Sequence, residues 1–214
     1  MNAHLARLAL DPRHAAVRRD LADPVRLHQR VMSLLPDGLG PQARQAAGVL
    51  FRQEDNRSGT SLLVQALLPF DFSRLPDGYA EVAVRDLRPM LAALRGGKTV
   101  RYRIVANTTK RVWQDDGRHK AGQVVPLAGD DALRWWRRRA EAAGLDLRHA
   151  DVLALDSARR PPQADSRMRH AMTRFDGVAV IGDPDAVRGA ILAGLGKGKS
   201  YGCGLLSLAP GPPS

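Results

Sequence analysis

The stretch GLGKGKSYGCGLLSLAP, from Gly194 to Pro210, gathers residue types that let a backbone approach and hold an anion: Gly194, Gly196, Gly198, Gly202 and Gly204, with Lys197 and Lys199 among them. Three known chemistries compete for these letters. Ala193 to Ser200, AGLGKGKS, differs at one residue from the phosphate-loop template GxxxxGK[ST], which works where a strand enters the loop and a helix leaves it. Here the order is reversed: DPDAVRGAILAG has helical spacing behind an Asp-Pro start, and GLLSL after the loop is short and apolar. Gly198 to Gly202 satisfies GxSxG, but no Asp, Glu or His follows Ser200 to complete a hydrolase triad. The dinucleotide pattern GxGxxG fails because Lys199, Tyr201 and Ser207 occupy the third-glycine positions. What remains is a cationic backbone loop that lets another chain come close, either a phosphate or a second part of the protein, or a tight turn with solvated lysines.

At 214 residues the chain is long enough for one large domain or two of about 100, and 44% hydrophobic content suffices for ordinary cores. The net charge of +11 favours a polyanionic partner, nucleic acid first. Part of that excess has a plainer source, because arginine over lysine, with much Ala, Gly and Pro, is what GC-rich coding produces. Guanidinium groups nevertheless make forked contacts to phosphate that ammonium groups cannot. The N-terminal LARLALDPRH is interrupted by Arg7, Asp11 and Arg13, and no apolar run reaches the length of a bilayer span. The expectation is a cytoplasmic protein without membrane contact. With Cys203 alone and no CxxC or HExxH, neither a disulfide, a metal site nor a cofactor is expected.

Periodicity gives, in the first half, a strand at HLARLAL, a helix at DPVRLHQRVMSLL with Asp23 as cap and Pro24 at its first position, and strands at GVLFRQE, SLLVQALL and AEVAVRDL. PFDFSRLPDGY reads as turn. The second half gives a strand at TVRYRIVANT, a helix at DDALRWWRRRAEAAG, strands at DVLALDS and MTRFDGVAVI, a helix at DPDAVRGAILAG and a closing strand at GLLSL. That is βαββαβ twice, once degenerate: an α+β protein of tandem ferredoxin-like, RRM-like domains. Gly96 and Gly97 suggest domains at 1–95 and 96–214, and a boundary near residue 112 is the alternative.

On these residues the chain resembles the CasE family, the CRISPR repeat-processing endoribonucleases of the type I-E Cascade complex, within the RAMP superfamily. The likeness rests on Gly194 to Leu208, on the Leu27-His28 pair early in the first predicted helix, and on RYRIVANTTK, where Asn107 and Lys110 match. It spans essentially the whole chain. Two positions depart from the family: Val25 stands where a Tyr three residues before the histidine is common, and Thr108 replaces a Pro.

The resemblance implies binding of the CRISPR repeat hairpin, one cut at its base, retention of the mature crRNA and assembly with other Cascade subunits. It assigns proton transfer to His28, as base on the 2′-hydroxyl or acid on the 5′-oxygen, with 2′,3′-cyclic phosphate and 5′-hydroxyl products and no metal. Read from its position alone, His28 lies at the margin of the apolar face formed by Leu27, Val31, Leu34 and Leu35, where histidines commonly just pack. RNA-binding candidates are Arg26 and Arg30 on the same helix, Lys110, Lys197, Lys199, and the basic segment RRPPQADSRMRH with Arg159, Arg160, Arg167, Arg169 and His170. Trp136 reads as core. Val25 keeps open a non-cleaving RNA-binding subunit, and Tyr201 is the other phenol that could stand near the imidazole.

Overall fold

The computed structural model describes residues 3–115, 117–155 and 172–211. The first half runs β1 (His4–Leu10), α1 (Ala15–Ala22), α2 (Pro24–Ser33), the short α3 (Ala43–Ala46), β2 (Leu50–Asn56), β3 (Gly59–Ala66) and β4 (Ala80–Asp86). A short α4 (Arg88–Ala92) leads into the second half: β5 (Thr99–Asn107), β6 (Thr109–Arg111), β7 (Val124–Pro126), α5 (Gly129–Ala142), β8 (Leu145–Leu155), β9 (Met172–Ile181), α6 (Pro184–Ala193) and β10 (Ser207–Pro210).

The strands form two four-stranded antiparallel sheets, ordered β2-β3-β1-β4 and β10-β5-β9-β8. Numbered from its own first strand, each sheet has the order 4-1-3-2, so the same ferredoxin-like topology occurs twice. TVRYRIVANT pairs with β9 and β10 and therefore belongs to the second sheet. Between β3 and β4, where the second helix of the motif would stand, there is one 3-10 turn, Phe72–Arg74.

Helix starts follow local chemistry. Asp23 accepts from the Val25 N–H at 2.9 Å and Asp183 from Asp185 and Ala186 at 2.9 and 3.1 Å, each with Pro at the next position. Such caps satisfy amides that have no partner within the helix. One core packs Val17, Leu27 and Val31 against Leu8, Leu62 and Val64. The other packs Trp136, Val187 and Ile191 against Ile104, Phe175 and Ala179. Trp136 is fully buried, its ring centroid 5.5 Å from both Tyr102 and Phe175.

Four stretches depart from the periodicity reading. The helix α1 carries a buried Asp20 where an apolar residue would complete the face; its carboxylate accepts from Arg30 Nε at 2.8 Å and from the Tyr79 hydroxyl at 3.0 Å. Strand β8 begins at Leu145, earlier than DVLALDS, because it is a sheet edge whose outward positions are charged. The hairpin β6–β7 is too short and polar to show alternation. In GLLSL, Gly204 to Leu206 are buried without joining the ladder, which starts at Ser207. No helix among the described residues is long and apolar enough to cross a membrane.

Candidate active site

Helix α2 buries Leu27 and Val31, and this fixes where its neighbours point. His28 follows Leu27 and is half-buried at the edge of that face. Its ring stacks on Phe51 of β2, with centroids 6.3 Å apart and planes at 22°. His28 Nδ1 is buried without a hydrogen-bond partner, which leaves Nε2 as the nitrogen available for proton exchange. Burial first, and the charge of Arg44 second, hold the imidazole below the usual histidine range. Both effects favour the uncharged imidazole, the form that accepts a proton.

The glycine-rich loop comes to this ring from the other half. Helix α6 ends at Gly194, with φ 71°, and the loop closes a 3-10 turn, Lys199–Tyr201, that packs against both α2 and β2. Glycine is required by close approach. A Cβ on Gly204, at φ +91°, would stand 2.7 Å from the Leu195 carbonyl oxygen, and one on Gly194 would stand 2.5 Å from Leu50 Cδ2 across the junction. Gly198 and Gly202 bracket the turn in left-handed conformations.

Two side chains clasp the halves. Arg52 of β2, 2% exposed, donates through Nη1 to the Leu205 carbonyl at 2.8 Å and the Arg103 carbonyl at 3.3 Å, and through Nη2 to Ser207 Oγ at 3.0 Å. Glu54 Oε1, 2.5 Å from Nη2, balances its charge. Gln65 of β3 donates to the Ile191 carbonyl of α6 at 2.8 Å. The loop thus docks the two halves where His28 lies.

Two cavities open beside the turn. One, of about 460 Å³, is lined by Leu21, Pro24, Leu27, Phe51, Val105 and Tyr201 among others. The second, of about 420 Å³, is lined by Arg44, Gly48, Leu67, Ala193 and Lys199 among others. Lys199 donates to the Ala193 carbonyl at 2.8 Å, and burial followed by the Arg44 charge lowers its pKa.

Of the sequence candidates, His28, Lys199 and the five loop glycines converge here. Lys197 is exposed on the same loop, and Lys110 is exposed on β6. Arg26 is exposed and lies 3.9 Å from Asp23. Arg30, turned about 200° from His28 on a helix of 3.6 residues per turn, is tied to Asp20, with its guanidinium 5.2 Å from the Tyr79 ring centroid. Arg159, Arg160, Arg167, Arg169 and His170 lie outside the described residues. Sequence reasoning missed Arg44, Phe51 and Arg52. Only strand alternation in LFRQEDN, which sends Phe51 to one face and Arg52 to the other, hinted at the last two.

Known proteins agree with this architecture. The model of a CRISPR associated protein family matches residues 3–210. The chain is 30% identical over 220 residues to the CRISPR-associated endoribonuclease Cse3 of Thermus thermophilus, covering 96% of this chain and 99% of that protein. It is 28% identical over 197 residues to the CRISPR system Cascade subunit CasE of Escherichia coli, covering 88% and 92% of the two chains. The structure of Thermus thermophilus Cse3 bound to an RNA representing a pre-cleavage complex superposes with a TM-score of 0.81 at 29% identity, over 98% of this chain and 100% of that one. Together with the doubled 4-1-3-2 sheets and the loop that closes them, these matches show that the chain belongs to the CRISPR associated protein family, as a member of its CasE type.

Proposed function

We propose that this protein is a metal-independent endoribonuclease that binds the hairpin of a CRISPR repeat, cuts precursor CRISPR RNA once, and keeps the crRNA as a Cascade subunit in the cytoplasm. The observation that carries the catalytic assignment is the placement of His28: an imidazole stacked on Phe51, with Nδ1 buried and Nε2 available, at the seam where a basic loop meets the helix. We place the domain division at 1–95 and 96–214, so that the base comes from the first domain and the loop from the second.

RNA carries its own nucleophile. Nε2 of neutral His28 takes the proton of the ribose 2′-hydroxyl, the 2′-oxygen forms a bond to phosphorus, and the bond from phosphorus to the 5′-oxygen breaks. The departing oxygen takes up a proton and leaves as a 5′-hydroxyl, while the phosphate stays behind as a 2′,3′-cyclic diester. Negative charge builds on the phosphoryl oxygens, and cations of the loop, Lys199 foremost, stabilise it. Val25 offers no phenol for the leaving oxygen, and Tyr201 is the phenol carried by the turn that packs on α2. The exposed Lys110, Lys197 and Arg26, with the basic segment 159–170, supply phosphate contacts along the stem.

The test is single-turnover cleavage of the cognate repeat RNA in EDTA. The wild type should cut, a substrate with deoxyribose at the scissile position should bind uncut, and His28→Ala should slow cleavage about 10³-fold while still binding RNA. A requirement for added magnesium, or tight binding without cutting by the wild type, would overturn the reading.

A further inference from the structure

Among the described residues, the buried and half-buried arginines are mostly held by carboxylates: Arg30 by Asp20, Arg74 by Asp37 and Asp71, Arg52 by Glu54, Arg103 by Asp176. Arg44 is not. Half-buried on α3, it donates Nη1 to the Val49 carbonyl at 3.2 Å and has no carboxylate partner among the described residues. Lys199 is in the same situation, held only by the Ala193 carbonyl. Both line the 420 Å³ cavity, so two cations share one small volume without an anion between them. Like charges brought together and partly desolvated repel, and a fold keeps such a pair only where something else offsets the cost. A phosphodiester is the anion that a nuclease of this type brings.

We propose that Arg44 and Lys199 form a two-cation cradle for the scissile phosphodiester, with Arg44 binding a phosphoryl oxygen. This rests on the reading of His28 given above. The guanidinium fork matches two phosphoryl oxygens, and the ammonium adds a point charge. Before RNA arrives, the field of Arg44 disfavours the imidazolium and keeps His28 ready to accept a proton. Once the phosphate is seated, its charge offsets that of Arg44, and the imidazolium formed on taking the 2′-hydroxyl proton is less opposed. The elements around His28 bring few other charges into play. Arg52 and Glu54 of β2 balance each other, Asp20 of α1 is held by Arg30 and Tyr79, Asp23 accepts from the Val25 amide, and Tyr201 and Lys199 come with the turn.

The experiment measures single-turnover cleavage of the repeat RNA in EDTA from pH 5 to 9 for wild type, Arg44→Ala, Arg44→Lys and His28→Ala, beside thermal melts and binding of the 2′-deoxy substrate. Arg44→Ala should cut about 10²-fold more slowly, with binding of the uncut substrate changed far less. Removing the cation lets the imidazole hold its proton to higher pH, so the acidic limb of the profile for the free enzyme should move upward. Arg44→Lys should restore both the rate and the midpoint in large part. A side chain that merely supported the Val49 carbonyl would lower the melting temperature in both variants and leave the midpoint in place. That outcome, or wild-type cleavage by Arg44→Ala while His28→Ala is inactive, overturns the cradle alone. Undiminished cleavage by His28→Ala overturns the underlying reading instead.

Discussion

Arg52 and Arg44 both meet the segment from Gly194 to Pro210 and use the same guanidinium to opposite ends. Arg52 is sealed between the sheets, its donors spent on two carbonyls and a serine of the second half and its charge met by Glu54. Arg44 faces a cavity with one carbonyl bond, no carboxylate partner among the described residues, and Lys199 lining the same cavity. A basic residue whose charge and hydrogen bonds are fully satisfied within the fold has nothing left for a ligand, whereas one held in place but uncompensated keeps its field for an incoming anion. The net charge of +11 cannot make that distinction.

The difference can be broken from the structural side first. Arg52→Ala removes three hydrogen bonds that join the halves and leaves Glu54 with only Arg103 Nη1, 3.7 Å away, which should cost about 3 kcal/mol, read as a lower urea midpoint. If instead Arg52→Ala melted normally and lost RNA binding, the clasp would be a ligand site and the contrast with Arg44 would vanish. Gly204→Ala probes the segment that both arginines meet. Its Cβ would meet the Leu195 carbonyl oxygen at 2.7 Å in a left-handed conformation, and about 2 kcal/mol of stability should be lost, measured by denaturant unfolding. The smallest expected effect belongs to the exposed Lys197. Lys197→Ala should leave stability and single-turnover rate unchanged, weaken RNA binding a few-fold, and lower the slope of log affinity against log salt by about one counterion.

Much of this molecule was legible before its coordinates. Strand β1 and the starts of α2 and α6 follow from alternation and from Asp-Pro caps, which are local effects that neighbouring residues settle among themselves. His28 and the loop glycines were legible through a resemblance to a family rather than through spacing. Helix α1 was not legible, because Asp20 holds an apolar position by virtue of Tyr79 and Arg30, which approach it only in the fold. Arg44 lay beyond reach for a related reason: nothing in PQARQAAG separates it from any solvated arginine.

By itself, the sequence determined the doubled βαββαβ order, once degenerate, and the basic character, since these depend on residue type and short-range periodicity; His28 stood out only through the family resemblance. The tertiary structure alone decided which charges are spent and which are kept. Compensation and burial depend on side chains such as Arg52 and Leu205 that lie 153 positions apart along the chain and meet at a single junction. The same packing carries the turn at Lys199–Tyr201 onto α2 and β2, where His28 and Phe51 stack.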